Sequence, residues 1–184
     1  MQFEDTAIPD VKIVSPKRHG DARGFFSEVY KLSDWRAQGL DLVFVQDNHS
    51  YSATVGTLRG LHFQAPPFAQ HKIVRVARGR ILDVAVDIRR SSPTFGRHVA
   101  VELSRDNWRQ LLVPVGFAHG FLTLEPDTEV IYKVTAEYST THDHGVVWDD
   151  PDLGIVWPLR DGAPLLSEKD RKWPRLCDLS ETFE

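Results

Sequence analysis

A proton-transfer residue set among strand-forming apolar neighbours is the first chemistry this chain offers, in Leu58-Arg59-Gly60-Leu61-His62-Phe63-Gln64. An imidazole placed this way exchanges protons near neutral pH. Two later segments supply companions: Pro114-Val115-Gly116-Phe117-Ala118-His119-Gly120-Phe121 holds a second histidine, and Val130-Ile131-Tyr132-Lys133-Val134 a phenol. Together they suggest a base, an acid and polar helpers inside one β-barrel.

Strand alternation puts His62 on the face of Leu58, Gly60 and Gln64, and sends Arg59 to the opposite face unless Gly60 bends or bulges the strand. A hydrogen-bonded structural histidine is the plainer reading of His62 taken alone, and of His119 likewise. Tyr132 shares a face with Val130 and Val134, so its ring points inward and its hydroxyl needs a partner or a substrate; core packing explains the ring equally well. Lys72, at the start of Ile73-Val74-Arg75-Val76, is placed to stabilise an oxyanion, or else is an ordinary lysine at a strand edge. Asp170, fourth residue of Ser167-Glu168-Lys169-Asp170, reads locally as part of a helix cap. His142-Asp143-His144 has metal-like residue types but no second cluster, which favours a solvated loop.

The elements that must position these groups are short and β-rich: Val43-Phe44-Val45, then 58–64, 73–77, 81–88, 98–103, 110–113, 121–124 and 130–134, with Gly, Pro, Asn and Asp between them. That rhythm predicts an antiparallel barrel or sandwich. Helices are accessories: Ser33 caps a short turn ending at Gly39, and Ser167 opens a second. With 184 residues and 41% hydrophobic content the chain builds one domain, residues 1–184. A net charge of -4 argues against a nucleic-acid binder, while Arg75/Arg78/Arg80 and Arg89/Arg90 suit a small phosphorylated ligand. No apolar run approaches the roughly 20 residues of a membrane helix, and Met-Gln-Phe-Glu-Asp is unlike a secretion signal, so a cytoplasmic location is expected. Cys177 is the single cysteine, which excludes an internal disulfide.

In order, Ala7-Ile8-Pro9-Asp10-Val11, Gly20-Asp21-Ala22-Arg23-Gly24-Phe25-Phe26-Ser27-Glu28, Phe44-Val45-Gln46-Asp47-Asn48-His49-Ser50, Leu58 to Gln64, Asp83-Val84-Ala85-Val86-Asp87-Ile88-Arg89, Ser92-Pro93-Thr94-Phe95-Gly96, Gly116 to Phe121 and Leu166-Ser167-Glu168-Lys169-Asp170 form a discriminating set. Over about residues 7 to 170 the chain resembles the dTDP-4-dehydrorhamnose 3,5-epimerases, a family with a cupin jelly-roll fold. The resemblance implies epimerisation of dTDP-4-dehydro-6-deoxy-D-glucose at C3 and C5, without a redox cofactor, and since acid–base groups suffice for enolisation no metal is expected. It implies His62 as base, Asp170 as its orienting partner, Tyr132 as acid, Lys72 at the C4 oxyanion and His119 polarising the sugar. Arg23, Phe26, Glu28, Gln46, Asn48, Arg59, Tyr138, Asp143 and Lys169 resemble the family's substrate contacts. Some of these reach a neighbouring subunit's site in that family, which implies a homodimer with exchanged N-terminal strands. One departure is Asp143, where the family more often has Glu.

Other readings stay open at this point. Related enzymes of antibiotic-sugar pathways invert only one of the two carbons while keeping much of this motif set. Pro114-x-Gly116-x-x-His119 also resembles the second motif of metal-dependent cupins, but the first motif supplies His-x-His plus Glu where this chain has His62-Phe63-Gln64, which leaves too few ligands. A non-catalytic sugar-nucleotide module would keep the cations and aromatics without needing His62 and Tyr132 together.

Overall fold

The computed structural model describes residues 1–160, 162–181 and 183–184. Its strands are β1 (Gln2–Asp5), β2 (Lys12–Ser15), β3 (Arg18–Asp21), β4 (Gly24–Ser27), β5 (Gln46–Ser52), β6 (Leu58–Gln64), β7 (Lys72–Arg78), β8 (Arg80–Asp87), β9 (His98–Ser104), β10 (Gln110–Val113), β11 (Phe117–Thr123), β12 (Thr128–Val134) and β13 (Asp143–Gly145). One sheet runs β1-β2-β10-β7-β12-β5 and a second β13-β6-β11-β8-β9, while β3 and β4 form a separate hairpin. The result is the all-β jelly roll expected from the rhythm of short strands, with three short helical pieces among the described residues.

Period-two alternation decides what each face does. Val74 and Val76 of β7, Leu111 and Val113 of β10 and Val130 of β12 meet Ile81 and Ala85 of β8 and Phe117 and Phe121 of β11 in the layer between the sheets. The alternate residues face outward but are not left to water. Leu61, Phe63, Val84, Val86 and Ala118 lie under the C-terminal chain with Leu153, Leu176 and Leu179. Val14, Ile73 and Leu112 lie under Trp35, Phe3, Tyr30 and Phe44. Covering both outer faces explains why so many strands read as continuous apolar runs.

Three local expectations are corrected. Residues 43–45 precede β5 instead of forming a strand, because Phe44 is drawn into the Trp35 cluster and only Val45, through its N–H to Val134 O at 2.9 Å, reaches the sheet. The first helix is Leu32–Arg36 with Lys31 at its N-cap, so Ser33 lies inside it; the turn does close at Gly39, whose φ of +77° suits glycine. Ser167 opens a turn, not a helix. Its Oγ accepts from Asp170 N at 3.1 Å as a cap would, but the chain leaves after Lys172 toward Trp173 and Pro174.

The β8–β9 connection hangs on one carboxylate. Asp87 is fully buried and accepts from Arg89 Nε at 2.9 Å, Ser92 Oγ at 2.6 Å and Thr94 Oγ1 at 2.6 Å. Burial alone would raise its pKa, yet these donors outweigh it and hold the carboxyl down at about 2. A depressed pKa contributes stability that is present above the unfolded value near 4 and lost as pH falls toward 2. Asp87→Asn is therefore expected to cost about 2 kcal/mol at pH 7. Thermal melts of the two proteins should converge as the pH drops from 4 to 2.

Candidate active site

His62 owes its orientation to two glycines. In the pairing of β6 with β11, His119 stands opposite His62 and Phe121 opposite Arg59, so Gly60 and Leu61 together oppose Gly120. Gly60 has φ +132°, and a Cβ there would lie 2.5 Å from Gly120 Cα; a Cβ at Gly120 would lie 2.8 Å from Arg59 O. No other residue type allows this approach. The bulge reverses the alternation, so Arg59, and not Leu58, lines a cavity of about 250 Å³ with His62.

Asp170 reaches His62 across 108 residues of sequence, with Oδ1 2.6 Å from Nε2. A carboxylate only accepts, so Nε2 carries the proton and Nδ1 keeps the lone pair. Asp170 is 3% exposed. Burial pushes its pKa up, but the hydrogen bonds from His62 and Ser167 prevail and hold it below the usual carboxylate range. The contact fixes the tautomer and the ring, leaving Nδ1 able to accept a proton.

The facing sheet brings the other groups. Lys72, Val74 and Val76 alternate along β7, so the lysine points inward at the end of an apolar row; it is 8% exposed, and its Nζ lies 3.4 Å from His62 O. Burial lowers its pKa to about 8, against the opposing pull of Asp143 and Asp83. Tyr132 of β12 packs on the inner core while lining the cavity, and burial raises its pKa above that of a free phenol even though Arg59 lowers it. His119, buried on β11, lines the same cavity with Nε2 2.6 Å from Asp83 Oδ1.

Two residues of this site escaped the sequence reading as functional groups. Asp83 is fully buried, and its Oδ2 has no hydrogen-bond partner among the described residues. The inward face of β8, read as Ile81, Asp83, Ala85 and Asp87, carries two acids in an apolar row, a signal that could have found it. Ser50 lines the cavity with a buried Oγ that has no partner among the described residues. Only its even spacing from Gln46 and Asn48 on β5 pointed inward.

At the rim, the nucleotide candidates form a continuous chain. Asn48 Oδ1 accepts from Gln46 Nε2 at 2.8 Å, Gln46 Oε1 accepts from Tyr138 N at 3.0 Å, Tyr138 donates its hydroxyl to Asp143 at 2.8 Å, and Asp143 pairs with Lys169. The shorter carboxylate thus reaches both neighbours. Its flanking histidines turn away: His142 packs on Phe68 and His144 stacks on Phe63. Among the described residues no three His, Cys, Asp or Glu side chains are grouped to hold a metal ion. Arg23, Phe26 and Glu28 lie apart from the cavity, on or just after the β3–β4 hairpin, where Arg23 pairs with Asp21 and Phe26 is 68% exposed.

Proton transfer beside a stabilised oxyanion is the chemistry these groups share, which places the chain among acid–base isomerases built on a jelly roll. The comparisons narrow that class. A family model described as dTDP-4-dehydrorhamnose 3,5-epimerase matches residues 5–178, and the chain belongs to that family. The dTDP-4-dehydrorhamnose 3,5-epimerase of Sinorhizobium fredii is 53% identical over 184 residues, covering 100% of this chain and 94% of its own. The Bacillus anthracis enzyme of the same name, solved with TDP and pyrophosphate bound, superposes with a TM-score of 0.91 at 51% identity, covering 95% of this chain and 98% of its own. A dTDP-6-deoxy-D-glucose-3,5-epimerase from Legionella pneumophila, solved with dTDP-4-keto-L-rhamnose, gives 0.93 at 42% identity over 97% and 94%.

Proposed function

We propose that this protein epimerises dTDP-4-dehydro-6-deoxy-D-glucose at C3 and C5, giving dTDP-4-dehydro-L-rhamnose. The observation that carries the reading is the division of the proton-transfer groups between two sheets, with the His62–Asp170 pair on one side of the cavity and Tyr132 on the other. Inversion needs that division. Each reacting carbon is next to the C4 ketone, so His62 Nδ1 takes its proton, the C–H pair moves into the ring, and the C4 oxygen becomes an enolate oxygen. Lys72 and His119 stabilise that oxygen, with Asp83 holding the His119 ring. Tyr132 gives its phenolic proton to the opposite face of the carbon, and exchange with water then returns a proton to Tyr132 and takes one from His62, so the same pair can act at the second carbon. No electrons are gained or lost overall, so no redox cofactor is required.

The rim residues Gln46, Asn48, Tyr138, Asp143 and Lys169 take the nucleotide, with the Tyr138 ring for thymine and Arg59 for the diphosphate. Arg23, Phe26 and Glu28 serve the cavity of a second copy, making the protein a homodimer of single 184-residue domains acting in the cytoplasm. The test of the dimer is complementation. Co-expressed Arg23→Ala and His62→Ala chains should regain activity, with about a quarter of all sites intact after random pairing. An inactive mixture of dimers would remove the exchanged hairpin from the account.

Lys72 gives the reaction an alkaline limit. Its ammonium is present below about pH 8 and lost above it, so kcat/KM should fall as pH rises through that value. Lys72→Arg should abolish this limb, whatever its effect on rate. The activity itself is tested by proton NMR of the sugar ring during incubation with the 4-keto sugar nucleotide. Ring couplings that report inversion at both carbons support the proposal, and inversion at one carbon or at none rejects it.

A further inference from the structure

Gly145 stands directly across from His62 in the β13–β6 pairing. A Cβ built there would lie 2.5 Å from Cε2 and 2.6 Å from Nε1 of Trp173, so the indole fills the place that a side chain at 145 would take. From there it meets the imidazole of His62 edge to face, with ring centroids 6.1 Å apart and planes inclined by 72°. Lys169 Nζ lies 5.3 Å from the centroid of the same indole. The Trp173 Nε1 is buried and has no hydrogen-bond partner among the described residues. The next residue is tied down, since Pro174 O accepts from Val147 N at 2.8 Å.

We infer that Trp173 is a positioning residue for the base: its indole braces the His62–Asp170 pair from behind and seats the Lys169 ammonium, fixing both relative to the cavity. The inference rests on the reading of His62 as the base. Edge-to-face aromatic contact and cation–π attraction are both directional, so an apolar side chain of similar reach fills the space without reproducing either. A base displaced by about 1 Å loses on the order of 10²-fold in rate.

Two substitutions separate packing from positioning. Trp173→Leu keeps an apolar filler but loses the ring, whereas Trp173→Phe keeps an aromatic edge and face. Trp173→Leu should lower kcat by about 10–100-fold and slow solvent deuterium uptake at C3 and C5 by the same factor. Trp173→Phe should stay within about threefold of the parent. Melting temperatures confirm that both variants are folded. The inference is overturned if Trp173→Leu keeps kcat within about twofold, or if its whole loss lies in KM. His62→Ala, measured alongside, distinguishes the two levels. Near-normal uptake in that variant overturns the base assignment and this inference with it, whereas abolished uptake there beside an unimpaired Trp173→Leu overturns only the role given to Trp173.

Discussion

His62→Ala is expected to abolish both turnover and deuterium uptake at C3 and C5 while leaving dTDP affinity close to normal. The hydrogen bond to Asp170 occupies Nε2 and leaves Nδ1 to accept a carbon-bound proton. Removing the imidazole leaves Asp170 buried behind the site, where it has no proton to relay. General acid–base groups contribute about 10²–10⁴-fold, and because both carbons use this base the loss applies to each. Binding should survive because the rim chain from Asn48 to Lys169 does not pass through His62. Rapid-quench kinetics and dTDP titration together check the result. A variant that still exchanges at near-normal rates, or fails solely through weak dTDP binding, removes His62 from the mechanism.

Tyr132→Phe should give a different pattern. The base remains, so proton abstraction and uptake of solvent deuterium on the original face continue. Net inversion falls by about 10²-fold or more, because the only group lost is the donor on the other sheet. The ring still fills its place in the inner core, so stability should change little. Burial keeps the phenol protonated well above neutral pH, which suits a donor rather than a second base. Uptake and inversion measured on one sample decide the matter: if both fall in parallel, Tyr132 is not specifically the acid.

Part of this site could be read from alternation, and the failures have identifiable causes. Tyr132 sits on an inward-facing position that period two predicts, between Val130 and Val134, whereas Lys72 and His119 are not placed by alternation and lie in rows with Val74 and with Phe117 and Phe121. Arg59 could not be placed in the same way. Its side depends on the tight contact between Gly60 and Gly120, which is made with a strand some sixty residues later in the chain. Asp170 carries an ordinary capping pattern, so its local pattern holds no sign of a partnership with His62, which comes from the resemblance alone; in the fold its side chain meets His62 while its N–H donates to Ser167 Oγ. Val43 to Val45 has the composition of a strand, but packing of Phe44 on Trp35 takes precedence over sheet pairing there. The β3–β4 hairpin shows no strand rhythm, and its aromatic residues remain largely exposed, Phe25 at 52%.

The central claim is that one base serves two carbons from one side of the cavity and one acid answers from the other. Deuterium counting tests it most directly: the sugar nucleotide is equilibrated with the enzyme in heavy water, and the epimerised product is analysed by mass spectrometry. The expected result is two carbon-bound deuterons, one at C3 and one at C5, in product formed by the parent protein, and none in sugar nucleotide incubated with His62→Ala. Product carrying protium at both carbons, or inversion without deuterium uptake, would contradict it.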